Sequence, residues 1–145
     1  NSFGKNITVI VKNAQADAID ADFSDLEFKN LDIINAANDC FDVSGGRYSI
    51  KEGILKNCQD KAISVGEKSN LTVNKIIING ANIGVAAKDL SKVSVIQMEA
   101  INTNICADVR RKKQEFGGAE LTINEYKCSA KVDVGAESVF LNGEL

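Results

Sequence analysis

Asp39-Cys40-Phe41-Asp42 sets two carboxylates around a thiol and an aromatic ring. Such a group could serve acid–base chemistry, offer oxygen ligands to a hard cation, or simply form a turn. Other charged residues that could share a site are Asp20 and Asp22 before it, and Lys88, Asp108, Arg110 and Arg111 after it. The chain contains no histidine, which removes every mechanism that needs imidazole as a base or a metal ligand. What the carboxylates do depends on the elements that carry them.

At 145 residues the chain is one domain's worth, expected to be a segment of a longer protein. It is large enough to bury roughly two thirds of its unfolded surface without staples. With 17 basic against 20 acidic residues, no basic block dominates, so no nucleic-acid footprint is expected. Arg110-Arg111-Lys112-Lys113 reads as a solvated loop. No apolar run is long enough to cross a bilayer as a helix, so no membrane insertion is expected. Proline is absent, and the apolar content is mostly Ile, Val, Leu and Ala.

A repeat of 22 residues organises the chain. Asn13, Asn35, Asn57 and Asn79 recur at that spacing, each five residues before Ala18, Cys40, Ala62 and Gly84, a column that continues to Cys106. The next column is Ile19, Phe41, Ile63, Val85 and Ala107. Two residues on stand Ala21, Val43, Val65, Ala87 and Val109. Within a copy the apolar residues alternate with the period of a strand: Phe41 and Val43, then Tyr48 and Ile50, then Gly53 and Leu55. Three short strands per copy cannot bury their apolar faces alone, but stacked coils share one core. The expected architecture is all-β, a parallel β-helix of about six coils with equivalent strands about 4.8 Å apart.

This pattern, from about Ile7 to Leu141, resembles the right-handed parallel β-helix of the pectin-lyase-like superfamily. The resemblance implies an asparagine ladder at a tight inter-strand turn, and an extracellular or cell-surface setting. It also implies that a polysaccharide could lie across one outer face. Asn38-Asp39-Cys40 is similar to the paired-aspartate-then-cysteine segment of polygalacturonases, but Asn38 replaces the first carboxylate and their histidine motif is missing. The mannuronan epimerase pattern also requires a histidine.

Alternation then assigns the faces. Phe41, Val43, Ile63, Val65, Val85 and Val109 are expected inside, and Asp42, Ser64 and Lys88 exposed. Cys40 is expected outward with Asp42, which stacks between Asp20 and Ser64. Asp39 and Asp17 sit at turns where they bond backbone amides. On the outer face of the first strand, acids gather at one end (Asp20, Asp22, Asp42) and bases at the other (Lys88, Arg110), with Asp108 between the bases. An acidic glycan is expected against Lys88 and Arg110, with Arg111, Lys112 and Lys113 reaching over from a loop. That loop is an insertion of about six residues, because Val93 to Leu121 spans 28 rather than 22. A one-residue insertion near Ser69-Asn70 widens another corner.

Three functions are compatible with these residues. The first is a non-catalytic module binding polysaccharide on the first-strand face. The second is a structural stalk that adjoins other domains or stacks end to end with itself. The third is a lyase-like enzyme with Lys88 or Arg110 as base. No cofactor is required; Ca²⁺ is the one cation the aspartates suit. Cys40 and Cys106 lie three coils apart in one column, roughly 14 Å by the strand spacing, and Cys58 and Cys128 are similarly separated. Four free thiols are therefore expected, with Cys128 buried and Cys40 more exposed.

Overall fold

A computed structural model describes residues 3–143, and strands are their only regular secondary structure. They are β1 (Phe3–Ala14), β2 (Ile19–Ala36), β3 (Phe41–Gly66), β4 (Asn70–Lys88), β5 (Lys92–Arg110), β6 (Glu120–Lys127), β7 (Lys131–Val134) and β8 (Val139–Asn142). Every pairing among them is parallel, in the order β1-β2-β3-β4-β5-β6-β8, with β7 on β5. The chain is a parallel β-solenoid of about six coils. Each long strand bends through corners, so its ladder runs in three straight segments per coil. Between β2 and β3 these segments are 19–22, 24–28 and 30–34.

The register carries the repeat. Ile19 pairs with Phe41, Leu26 with Tyr48 and Leu31 with Gly53, all 22 residues apart. The extra residue before Asn70 moves the spacing to 23 from Arg47–Asn70 through Cys58–Ala81, and it returns to 22 at Lys61–Ile83. The corner after the third segment needs a residue at positive φ. Asn13, Asn35, Asn57 and Asn102 supply it, at φ 58°, 62°, 53° and 51°. In the shifted coil the position falls on Gly80, at φ 92°, rather than on Asn79. Glycine adopts that conformation without steric cost, and asparagine tolerates it better than most residues. The amides stack as a ladder: Asn35 donates to Asn13 at 2.8 Å, Asn57 to Asn35 at 3.0 Å and Asn102 to Asn79 at 2.9 Å. The rung between Asn57 and the shifted coil is replaced by Gly80, packed against the Asn57 side chain.

The core is one continuous cluster through the coils. Phe41, Ile63, Val65, Val85 and Val109 have no exposed surface and Val43 only 1%, as the alternation requires. Phe28, Phe41 and Tyr48 form an edge-to-face chain at 5.5 and 6.4 Å between centroids. At the two ends the inward residues, Ile7, Val9 and Val11 in β1 and Tyr126, Val132 and Phe140 in β6, β7 and β8, are only partly buried.

The thiol expectation is overturned. Cys40 bonds Cys58 and Cys106 bonds Cys128, with Cα atoms 5.4 and 6.2 Å apart. The column argument compared each cysteine with its own copies, whereas the bridges run diagonally across a corner. Cys58 stacks on Ala36, four residues before Cys40, so adjoining coils bring the two sulfurs together. Cys40 is also wholly buried and belongs to the core, while Cys128 is only partly buried, the reverse of the expectation. Strict alternation fails where the chain rounds this corner, because Cys40 and Phe41, like Ala62 and Ile63, are both inside.

Two outcomes follow from this packing. Replacing Ile63 by Asp puts an unpaired charge at a site with no exposed surface and should abolish the cooperative thermal transition, whereas Ile63→Ala should cost about 2–5 kcal/mol. An Ile63→Asp protein that melts like the parent would contradict the register. In denaturant, no thiol should titrate until reductant is added, after which four should. Each bridge closes a loop of 18 or 22 residues, so reduction should remove about 3 kcal/mol per bridge in chemical denaturation.

Candidate functional site

The first segment carries the aspartates on adjoining coils. Asp20 on β2 pairs with Asp42 on β3, and Ser64 follows one coil on, paired in turn with Ala86 of β4. Asp17 lies in the turn between β1 and β2. Its Oδ1 accepts a hydrogen bond from the Asn38 side-chain amide at 2.8 Å and from the Asp39 backbone N–H at 2.9 Å. Asp39 repeats the arrangement one coil later, accepting the Lys61 N–H at 3.0 Å. These turn aspartates therefore bond amides, as expected, but amides of the next coil, so they tie coils together. Carboxylate oxygens of Asp17, Asp20 and Asp42 lie within 4.8 Å of one another.

Crowding and burial oppose ionisation in this corner. Burial above all, then the charge of Asp39, then a side-chain hydrogen bond with Asp17 and its charge, pushes Asp42 up to about 6, while Lys88 acts in the other direction. Burial also raises Asp39, and raises Asp20 together with Asp22 and Asp17. Lys61 is partly desolvated, but Asp60, Asp39 and Asp42 more than offset this and hold its ammonium charged. It bonds Asp60 at 2.8 Å.

The basic end differs from its expected form. Lys88 and Arg110 are paired one coil apart, as the repeat requires. Lys88, however, is half-buried, and burial followed by Lys61 and Lys112 lowers its pKa. Arg110 Nε is 2.5 Å from Asp108 on its own strand, Arg111 reaches Glu137 at 3.5 Å, and Lys113 is bound to Glu67. The inserted loop does not reach over the face freely. Buried Asp89 accepts the N–H groups of Lys112 and Lys113 at 2.7 and 2.8 Å, and Lys68 sits over the Phe116 ring. Ser64, expected exposed, is 1% exposed, as is Ala86 beside it. The centre of the face is buried at Ser64 and Ala86, so its acidic and basic ends are not joined by an open trough.

An open trough lies instead over the second segment. A depression of about 750 Å³ is lined by Lys5, Lys29 and Lys51, with Glu27, Ser49 and Thr72 among the other residues. Glu27, Ser49, Thr72, Ser94 and Thr122 form one outward column across five coils. Lys29 and Lys51 lie 22 residues apart, between the paired positions Phe28–Ile50 and Asn30–Glu52, and stack on adjoining coils. Neither has an ion-pair partner among the described residues. The sequence signal for this trough was the Lys29–Lys51 spacing, and for Asp17 its 22-residue relation to Asp39.

The raised Asp42 sets a pH dependence. The folded protein holds this proton between the ordinary 3.8 and about 6, whereas the unfolded chain has already lost it. The Asp42 contribution is therefore full below the lower value and is lost as pH rises through the upper one. Asp42→Asn should remove that loss: its melting temperature should exceed the parent's at pH 7 and approach it at pH 4. A variant that is less stable than the parent at pH 7 would contradict this.

No family model, curated protein or solved structure matches this chain.

Proposed function

We propose that this β-solenoid is a non-catalytic module that binds an acidic polysaccharide along its outer surface, with the lysine trough over the second segment as the principal contact. The observation that carries the reading is the stacking of Lys29 on Lys51, with Lys5 beside them and no ion-pair partner for the stacked pair among the described residues. Two ammonium groups one coil apart repel by about 1 kcal/mol even in water. A polyanion running along the axis would meet one cation per coil and relieve that repulsion. The neighbouring Ser49 and Thr72 hydroxyls donate and accept, which suits sugar hydroxyls.

Lys88 is the first-strand base left for such a ligand, since Asp108 and Glu137 engage Arg110 and Arg111. The lyase reading is the weaker one for the same reason. Its Arg110 base is committed to Asp108, and the buried centre at Ser64 and Ala86 separates Lys88 from the acidic corner. Two disulfides favour an oxidising, extracytoplasmic setting. The stalk reading draws on the partly buried end coils, whose Val9, Val11, Val132 and Phe140 would be covered by further coils or a second copy.

Calorimetry with oligouronates and sulfated oligosaccharides, after a glycan array, tests the proposal. Binding should weaken with salt, as surface charge contacts do, and Lys29→Glu with Lys51→Glu should weaken it at least about tenfold, or 1.4 kcal/mol. Arg110→Ala should change it little. Absence of binding in the parent, or unchanged binding in the double variant, would overturn the reading. A blank array together with concentration-dependent self-association would favour the stalk.

A further inference from the structure

We propose that Asp17, Asp20 and Asp42 form a divalent-cation site of the calcium class that clips two adjoining coils, with the Ser64 hydroxyl as a neutral oxygen at its edge. Two independent observations carry it. The first is the convergence of three carboxylates, from a turn, from β2 and from β3, to within 4.8 Å. The second is Ser64. It follows Asp20 and Asp42 in the same column, and its neighbours Ile63 and Val65 point into the core, so its side chain faces the way Asp42 does. The residue is 1% exposed, yet its Oγ has no hydrogen-bond partner among the described residues. A buried hydroxyl left unpaired costs about 1–3 kcal/mol, and an oxygen ligand to a cation or its bound water needs exactly such a free lone pair.

The donor set fixes the class of ion. All the donors are hard oxygens, and the corner's cysteine, Cys40, is committed to a disulfide, so calcium, magnesium or manganese fits and zinc or copper does not. Three carboxylates, each mono- or bidentate, with a hydroxyl and water approach the six to eight oxygens calcium takes, in a flexible arrangement that magnesium accepts less readily. The supporting contacts are also of the kind that orient ligands. Asn38 and the Asp39 N–H both hold Oδ1 of Asp17, and the Asp17 carboxylate is itself hydrogen-bonded to Asp42. Nearby Lys61 is bonded to Asp60 and does not neutralise the three acids by contact. The proposal is independent of glycan binding, because the trough of Lys29 and Lys51 lies on a different segment of each coil.

The test uses the whole chain, stripped with chelator and without any glycan. Calcium titrated by calorimetry should saturate at one ion per chain, with a dissociation constant of about 10⁻⁴–10⁻³ M, as in extracellular modules, and should raise the melting temperature. Magnesium should bind more weakly. Asp20→Asn with Asp42→Asn should abolish both the heat and the thermal shift while leaving the metal-free protein at least as stable as the parent, which separates loss of the site from misfolding. Ser64→Ala should weaken binding severalfold. No saturable heat and no thermal shift with calcium, or a shift retained in the double variant, would overturn the proposal.

Discussion

Parallel, in-register stacking governs everything else in this protein, because each side chain's nearest neighbour is its own equivalent one coil away. Packing is therefore like on like. Aliphatic columns such as Ile63 on Val85 share a dry core, and the asparagine amides at the corners hydrogen-bond along the axis. The same rule makes charge expensive, since like charges directly opposite one another destabilise a sheet. Where this chain does stack like charge, at Asp20 on Asp42, Lys29 on Lys51, Lys88 on Arg110 and Asp108 on Asp133, the cost is concentrated. The Arg110–Asp108 pair offsets the last two, so an added ion or polymer would have its largest effect at the first two.

At other positions the chain avoids that cost by setting opposite charges together. Asp25 meets Arg47 at 3.1 Å, and Lys113, carried by the inserted loop, meets Glu67. Such exposed pairs contribute at most about 1 kcal/mol each, so they are better read as relief of repulsion than as a source of stability. Turn aspartates do more. Asp17, Asp39 and Asp89 spend carboxylate oxygens on backbone N–H groups of the next coil, where the corner leaves amides without a ladder partner. The disulfides act at the same corners, so covalent and polar clips reinforce the bends while the ladders hold the straight segments.

The solenoid was legible in the sequence because its core columns repeat exactly, from Ile19 through Phe41, Ile63 and Val85. What was not legible arose where the repeat slips or bends. The extra residue near Ser69-Asn70 moves the positive-φ position from Asn79 to Gly80, which a constant count of 22 could not anticipate. Alternation assumes a straight strand, so it misplaced Cys40 and hid both disulfides, which cross a corner diagonally. Of the candidate residues, Asp20 and Asp42 came together as the columns required. Ser64 proved buried, and Arg110 and Arg111 found acids that lie far away in sequence or on the same strand. Exposure depends on neighbours' volumes and on loop paths, neither of which periodicity encodes.

The central claim is the register itself, including its slip, and nuclear Overhauser contacts between backbone protons across the ladders test it most directly. The account predicts cross-strand contacts at a separation of 22 between β2 and β3. It also predicts 23 from Arg47–Asn70 through Cys58–Ala81, and a return to 22 at Lys61–Ile83. Contacts at an uninterrupted 22 through β3 and β4, antiparallel patterns, or short-range helical contacts would contradict it.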